Sequence, residues 1–168
     1  MKSLITKWFK RFFGSLFFLG YFPAAPGTVG SIAVVAAIWF TRDFSFQFFD
    51  PQYYMHYWLI SLALTVLSIL VAQNAPEVFG DHDPKQFVLD EVAGQFITFF
   101  MVPISWRTLI MGLLLFRFFD IVKPFPVHNL EEVEGGVGMT MDDIAAGVMA
   151  NISLLFLLWL YHGIQAAL

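Results

Sequence analysis

Cysteine is absent from the 168 residues. Its absence excludes disulfide frameworks, cysteine-ligated zinc and any cysteine nucleophile. Charge is also scarce: Asp, Glu, Lys and Arg make up 13% of the chain and leave a formal net charge of −4. With no basic stripe, nucleic acid is not an expected partner. Histidine is confined to His56, His82, His128 and His162, too dispersed in the sequence to suggest a histidine-based centre. No internal repeat, low-complexity tract or long linker divides the chain, so residues 1–168 are read as a single membrane-embedded domain.

Apolar side chains are abundant: 58% of residues are hydrophobic and 21 are Phe. Such a chain cannot remain disordered, and so much apolar surface must be covered by protein or lipid. The expected architecture is an all-α integral membrane bundle of about four to five membrane helices, judged against the about 20 residues that cross hydrocarbon. The expected spans are Gly30–Phe40, Met55–Ala72, Phe87–Val102, Thr108–Val122 and Ile144–Tyr161. Ahead of them, residues 1–22 interleave Lys2, Lys7, Lys10 and Arg11 with Trp8, Phe9, Phe12 and Phe13. That pattern fits an N-terminal amphipathic helix at the interface; a cleaved signal peptide and the flank of a first span are the competing readings.

With the N-terminus inside, Lys2, Lys7, Lys10, Arg11, Lys85, Arg117 and Lys123 face the cytoplasm, leaving only Arg42 and Arg107 outside. The positive-inside rule favours this multi-pass orientation. It also gathers residues 21–30, 77–91 and 117–143 on the cytoplasmic side, and these carry the chemistry.

The segment Pro23–Ser31 (PAAPGTVGS) has prolines that oppose helix, and Thr28 is placed to cap a helix beginning near Val29. The backbone N–H groups of such a Gly/Thr turn can hold an anion, which makes Gly27, Thr28 and Ser31 candidate phosphate ligands. Asp90 and Glu91 enter a membrane segment together, with Gly94 four residues beyond Asp90 on the same face. Arg117, Asp120 and Lys123 follow at three-residue spacing before Pro124, either as a structural ion pair or as a face that holds phosphate and metal. A glycine-rich stretch, Gly135-Gly136-Val137-Gly138, leads to Asp142 and Asp143, read as lying at a helix start. Asp143 and Gly147 repeat the acid-to-glycine spacing of Asp90 and Gly94, which suggests two closely packed helices with acids at one depth.

Asp83, Asp90, Glu91, Asp120, Asp142 and Asp143 thus converge on one face, and unpaired burial of so many acids is prohibitive. Carboxylates without Cys or clustered His favour a hard cation, so Mg²⁺ is the expected cofactor. In this reading Asp90, Glu91, Asp142 and Asp143 hold the metal, and Asp120 and Asp83 serve as further ligands or as the base. Gly27, Thr28, Ser31, Arg117 and Lys123 neutralise phosphate oxygens. Direct attack by water is preferred, although Asp81-His82-Asp83 leaves an aspartyl-phosphate route open. Glu131, Glu132 and Glu134 read as a solvated loop.

Together these four motifs, in this order from Pro23 to Gly147, resemble the phosphatidylglycerophosphatase A family. The resemblance implies an all-helical, Mg²⁺-dependent phosphomonoesterase. Its substrate would be phosphatidylglycerophosphate and its product phosphatidylglycerol, in bacterial phospholipid synthesis at the inner membrane. The stretch Met139-Thr140-Met141 departs from the bulkier branched residue expected after the glycine. Two other functions compete: a metal-dependent lipid headgroup transferase, and a non-enzymatic cation transporter. Oligomeric state is not legible in the sequence.

Overall fold

The computed structural model describes residues 2–45, 51–81, 84–131 and 133–167, among which there are helices and turns but no strand. Asp83, expected as a further ligand or as the base, and His82 beside it lie outside the described residues. The helices are α1 (Lys2–Gly14), α2 (Pro26–Ser45), α3 (Tyr54–Ala72), α4 (Ala75–Phe79), α5 (Leu89–Thr98), α6 (Trp106–Val122), α7 (Val127–Glu131) and α8 (Gly136–Ala167).

Several boundaries differ from the sequence expectation, each for a local reason. Helix α2 opens at Pro26, three residues before the start expected near Val29. Proline at a first helical position lacks an N–H that would be orphaned anyway and brings a helical φ, so it starts this helix. Thr28 therefore lies within the first turn, and the chain enters through Ala25 at φ 49°.

Helix α8 begins at Gly136, so Asp142 and Asp143 stand inside the helix rather than at its start. Glycine is tolerated there because neighbouring backbone takes the space of a side chain: a Cβ on Gly136 would run into Ile69 and Gln73, and one on Gly138 into Val133.

The largest departure is α5, with 10 residues where the sequence suggested a crossing over Phe87–Val102. At about 1.5 Å per residue it covers only half the hydrocarbon thickness. Carbonyls at its end and just beyond it are satisfied from outside: the Asn151 amide donates to the oxygens of Thr98 (2.9 Å) and of Phe100, two residues past the helix (2.7 Å). Almost every α5 residue is buried, because α2, α3, α6 and α8 pack around it. Tyr57 of α3 stacks on Phe96 at 4.4 Å between ring centroids. Ser68 of α3 and Thr140 of α8 share a buried hydrogen bond of 2.8 Å.

Helix α6 starts with a capping box, in which the Ser105 hydroxyl accepts from the Thr108 N–H at 3.2 Å and Thr108 Oγ1 accepts from the Ser105 N–H at 2.9 Å. It ends at Lys123, in the left-handed region at φ 46° and followed by Pro124. The main core joins Val34 and Ile38 of α2 to Phe99, Val102, Leu109 and Leu154; a smaller cluster of Phe116, Val127, Ala146 and Ala150 lies under the acids.

Two helices, α3 and α8, are long and apolar enough to cross a membrane. Both keep most of their surface uncovered, unlike core helices of a soluble protein: Trp58 is 55%, Leu62 58%, Ile152 62% and Trp159 69% exposed.

Candidate active site

Three segments position the acids. The N-terminus of α5 carries Asp90 and Glu91 in its first turn, where carboxylates meet the positive end of the helix dipole. The chain before it is anchored to the N-terminal segment, since the Val88 N–H donates to the Gly14 carbonyl at 2.9 Å. That segment is itself tied down: Lys10 hydrogen-bonds Asn74, and Arg11 donates to the Val78 carbonyl. Asp142 and Asp143 come from α8, and Arg117 and Asp120 come from α6, with Lys123 as its C-cap.

Helices α5 and α8 approach to backbone contact. A Cβ on Gly94 would strike the Asp143 carbonyl, and a Cβ on Gly147 would strike that of Gly94. The repeated acid-to-glycine spacing thus acts as the sequence suggested: each glycine removes the side chain that would hold the helices apart. As a result Asp90, Glu91 and Asp143 each offer an oxygen, all within 4.8 Å of one another.

Around this triad the charges are paired in order. Arg117 Nη1 lies 2.6 Å from Asp120 Oδ2 and 3.9 Å from Glu91 Oε1, bridging α6 to α5. The Lys123 ammonium donates to Asp142 Oδ2 at 2.9 Å, and Asp142 Oδ1 accepts the Asp143 N–H at 2.9 Å. In the same way Asp90 Oδ1 accepts the Glu91 N–H at 2.9 Å. Asp120 and Asp142 therefore lie outside the triad, each holding a cation. Glu91 Oε2 and Asp143 Oδ1 are buried without a hydrogen-bond partner among the described residues. Two buried, unpaired carboxylate oxygens within one oxygen-only cluster could serve a hard divalent cation as part of its oxygen ligand set.

The triad lies in a cleft of about 1120 Å³, whose lining includes Gly27, Arg117, Asp120, Lys123 and Asp142. Gly27 borders it because a Cβ there would collide with the Glu91 carboxylate and come within 3.1 Å of Arg117 Nη1. Thr28 and Ser31 do not line the cleft; Ser31 is fully buried and its hydroxyl donates to the Gly27 carbonyl at 3.0 Å. Lys85, expected on the cytoplasmic side among the cations that offset the acids, lines the cleft; Gln73, which had no expected role, lines it too, because only the folded chain brings the end of α3 beside α5.

Comparison with known proteins converges on one family. The family model for phosphatidylglycerophosphatase A matches residues 12–158. A Bacteroides thetaiotaomicron protein provisionally named phosphatidylinositol-3-phosphatase is 36% identical over 87% of this chain and 91% of its own length. The Escherichia coli protein named phosphatidylglycerophosphatase A is 32% identical over 82% of this chain and 77% of its own. Its Haemophilus influenzae namesake is 35% identical over 79% and 78%. No solved structure matches the chain. With the model spanning all four motifs and relatives above 30% identity covering most of the sequence, the chain belongs to the phosphatidylglycerophosphatase A family.

Proposed function

We propose that this chain is a Mg²⁺-dependent lipid phosphatase that hydrolyses the terminal phosphomonoester of phosphatidylglycerophosphate, giving phosphatidylglycerol and phosphate, in bacterial phospholipid synthesis. The observation that carries the reading is the oxygen triad Asp90, Glu91 and Asp143 at the base of a cleft that also holds Arg117 and Lys123.

Asp90, Glu91 and Asp143 hold the metal, with Asp120 and Asp142 as neighbouring acids that fix the cations. When bound, Mg²⁺ supplies positive charge to the phosphoryl oxygens and acidity to a water. Arg117, oriented by Asp120, and Lys123, oriented by Asp142, meet the oxygens on which charge accumulates in the transition state. Gly27 leaves room for the phosphate beside Glu91, while Thr28 and Ser31 stiffen the turn behind it. Water attacks phosphorus as the bond from phosphorus to the glycerol oxygen breaks; Asp120 on the cleft wall takes the water's proton and returns it to the glycerol oxygen, which leaves as the alcohol.

The membrane arrangement follows the same reading. Helices α2, α3, α6 and α8 cross the inner membrane with the N-terminus and the cleft on the cytoplasmic side, and α5 is a buried half-helix between them. Support comes from the apolar residues exposed on α2 (Ile32, Phe40), α3 (Trp58, Leu62), α6 (Leu114, Ile121) and α8 (Ile152, Phe156). Irregular backbone at membrane depth is tolerated where it is enclosed by protein, as α5 is. On α1, Leu4, Ile5, Trp8 and Phe9 are exposed as the apolar face of an interfacial helix.

Phosphate release from phosphatidylglycerophosphate in mixed micelles, with and without Mg²⁺, tests the proposal in the parent, Asp90→Asn and Asp143→Asn. Loss of release in both variants, and in the parent without Mg²⁺, is expected; equal release in all three removes the site. The Bacteroides relative's name favours a second reading, a phosphoinositide as substrate. Supplying phosphatidylinositol 3-phosphate in parallel decides between the two headgroups.

A further inference from the structure

The mechanism leaves Gln95 of α5 unused, and unlike Thr98, whose hydroxyl donates to the Gly94 carbonyl, its side chain makes no such bond. It is fully buried, and neither its amide nitrogen nor its amide oxygen has a hydrogen-bond partner among the described residues. Such a group is costly, because a buried amide loses its water hydrogen bonds and gains nothing in exchange. An apolar residue would fill the same volume without that cost, so the amide needs a reason to be there.

Its position supplies one. Gln95 follows Glu91 by four residues, hence by one turn on the same face of α5. The contacts of its neighbours fix which face this is. Gly94 lies against Asp143 of α8, Phe96 stacks on Tyr57 of α3, and Glu91 lies against Gly27 of α2 and Arg117 of α6. Gln95 thus lies one turn further along α5 than Glu91, on the same face and behind the cleft lining rather than in it. Side chains on a helix lean towards its N-terminus, so the Gln95 amide leans towards the turn that holds Glu91. Glu91 Oε2 is the buried oxygen there that has no partner.

We propose that Gln95 is a positioning residue for the metal site: with no direct hydrogen bond between them, one buried water carries the amide N–H's donation to Glu91 Oε2 and so fixes which oxygen Glu91 presents to the cation. The assignment rests on the reading of Asp90, Glu91 and Asp143 as metal ligands. Support of a ligating carboxylate by an outer hydrogen bond is a general feature of metal sites, and its removal weakens metal binding about 10–100-fold.

The test uses the full chain purified in detergent. Mn²⁺ binding is followed by electron paramagnetic resonance, and Tm is measured without metal and with Mg²⁺. Gln95→Met keeps the shape and removes both polar atoms; if that variant does not fold, Gln95→Leu replaces it. Gln95→His retains an N–H donor. The expected result is a Mn²⁺ Kd raised at least about tenfold in Gln95→Met, with metal-free Tm unchanged or higher, and a Kd within about threefold of the parent in Gln95→His. A merely structural glutamine would move Tm and leave Kd alone, so a Gln95→Met Kd within about threefold of the parent overturns the assignment. Absence of Mn²⁺ binding by the parent would overturn the metal reading itself, and with it the role of Gln95.

Discussion

Gly94→Ala adds a single methyl group and is expected to disable the site. A Cβ at position 94 would lie 2.7 Å from Phe116 Cε2 and 2.9 Å from the Asp143 carbonyl carbon, and closer still to the Asp143 carbonyl oxygen. Bringing the carbonyl carbon to the roughly 3.5 Å at which carbon atoms pack best requires α5 and α8 to part by about 0.6 Å. Neither obstacle yields easily, since one is helix backbone and the other a fully buried ring. Overpacking of this kind costs about 1–3 kcal/mol, partly offset by the up to about 1 kcal/mol that alanine gains over glycine in a helix. The larger effect is on geometry. Metal sites tolerate ligand displacements of only about 0.2 Å, and misplacement by about 1 Å can cost a hundredfold in rate.

Phosphate release is therefore expected to fall about 10–100-fold, with a higher Mg²⁺ requirement, while the chain still folds. The control is Gly163→Ala, on the same long helix but with nothing within 4 Å of the added methyl. It should leave activity unchanged and Tm equal or slightly raised. Parent-like release and Mg²⁺ dependence in Gly94→Ala would refute the claim that backbone contact between α5 and α8 brings the acids together.

Arg117→Lys is expected to lower phosphate release about tenfold or more, because an ammonium cannot span Asp120 and Glu91 as the guanidinium fork does; steady-state kinetics with saturating Mg²⁺ check this. Removing metal with EDTA should abolish release and lower Tm. Restoring Mg²⁺ to about 100 times its Kd should return about 2.7 kcal/mol of stability, read by thermal unfolding. Asn151→Leu leaves the Thr98 and Phe100 carbonyls without their donor, so a loss of about 1–3 kcal/mol is expected by denaturant titration, with little change in Mg²⁺ requirement.

The sequence by itself determined much that is local or additive. Apolar runs dictated helices, and the 19 apolar-rich residues of α3 emerged almost where expected. The pairs Asp90-Glu91 and Asp142-Asp143, each with a glycine beyond, announced two helices meeting at a charged site because glycine spacing directly encodes close approach. Helix ends were less legible. Pro26 and Gly136 look like breakers in isolation, yet both are helical, since one lacks an N–H the first turn does not need and the other lies against backbone.

Only the tertiary structure decided how the acids divide. Six carboxylates of similar chemistry were candidate ligands in the sequence, and five of them, all but Asp83, lie among the described residues. Packing drew Asp90, Glu91 and Asp143 to within 4.8 Å and left Asp120 and Asp142 to Arg117 and Lys123. It also shortened α5 to a half-helix, because Asn151, 51 residues or more away in the chain, satisfies carbonyls at its end and just beyond it. Charge and periodicity are carried by neighbours in sequence. The assignment of one partner to each charge depends on distances of a few ångströms between helices, which fall into place only when the helices pack.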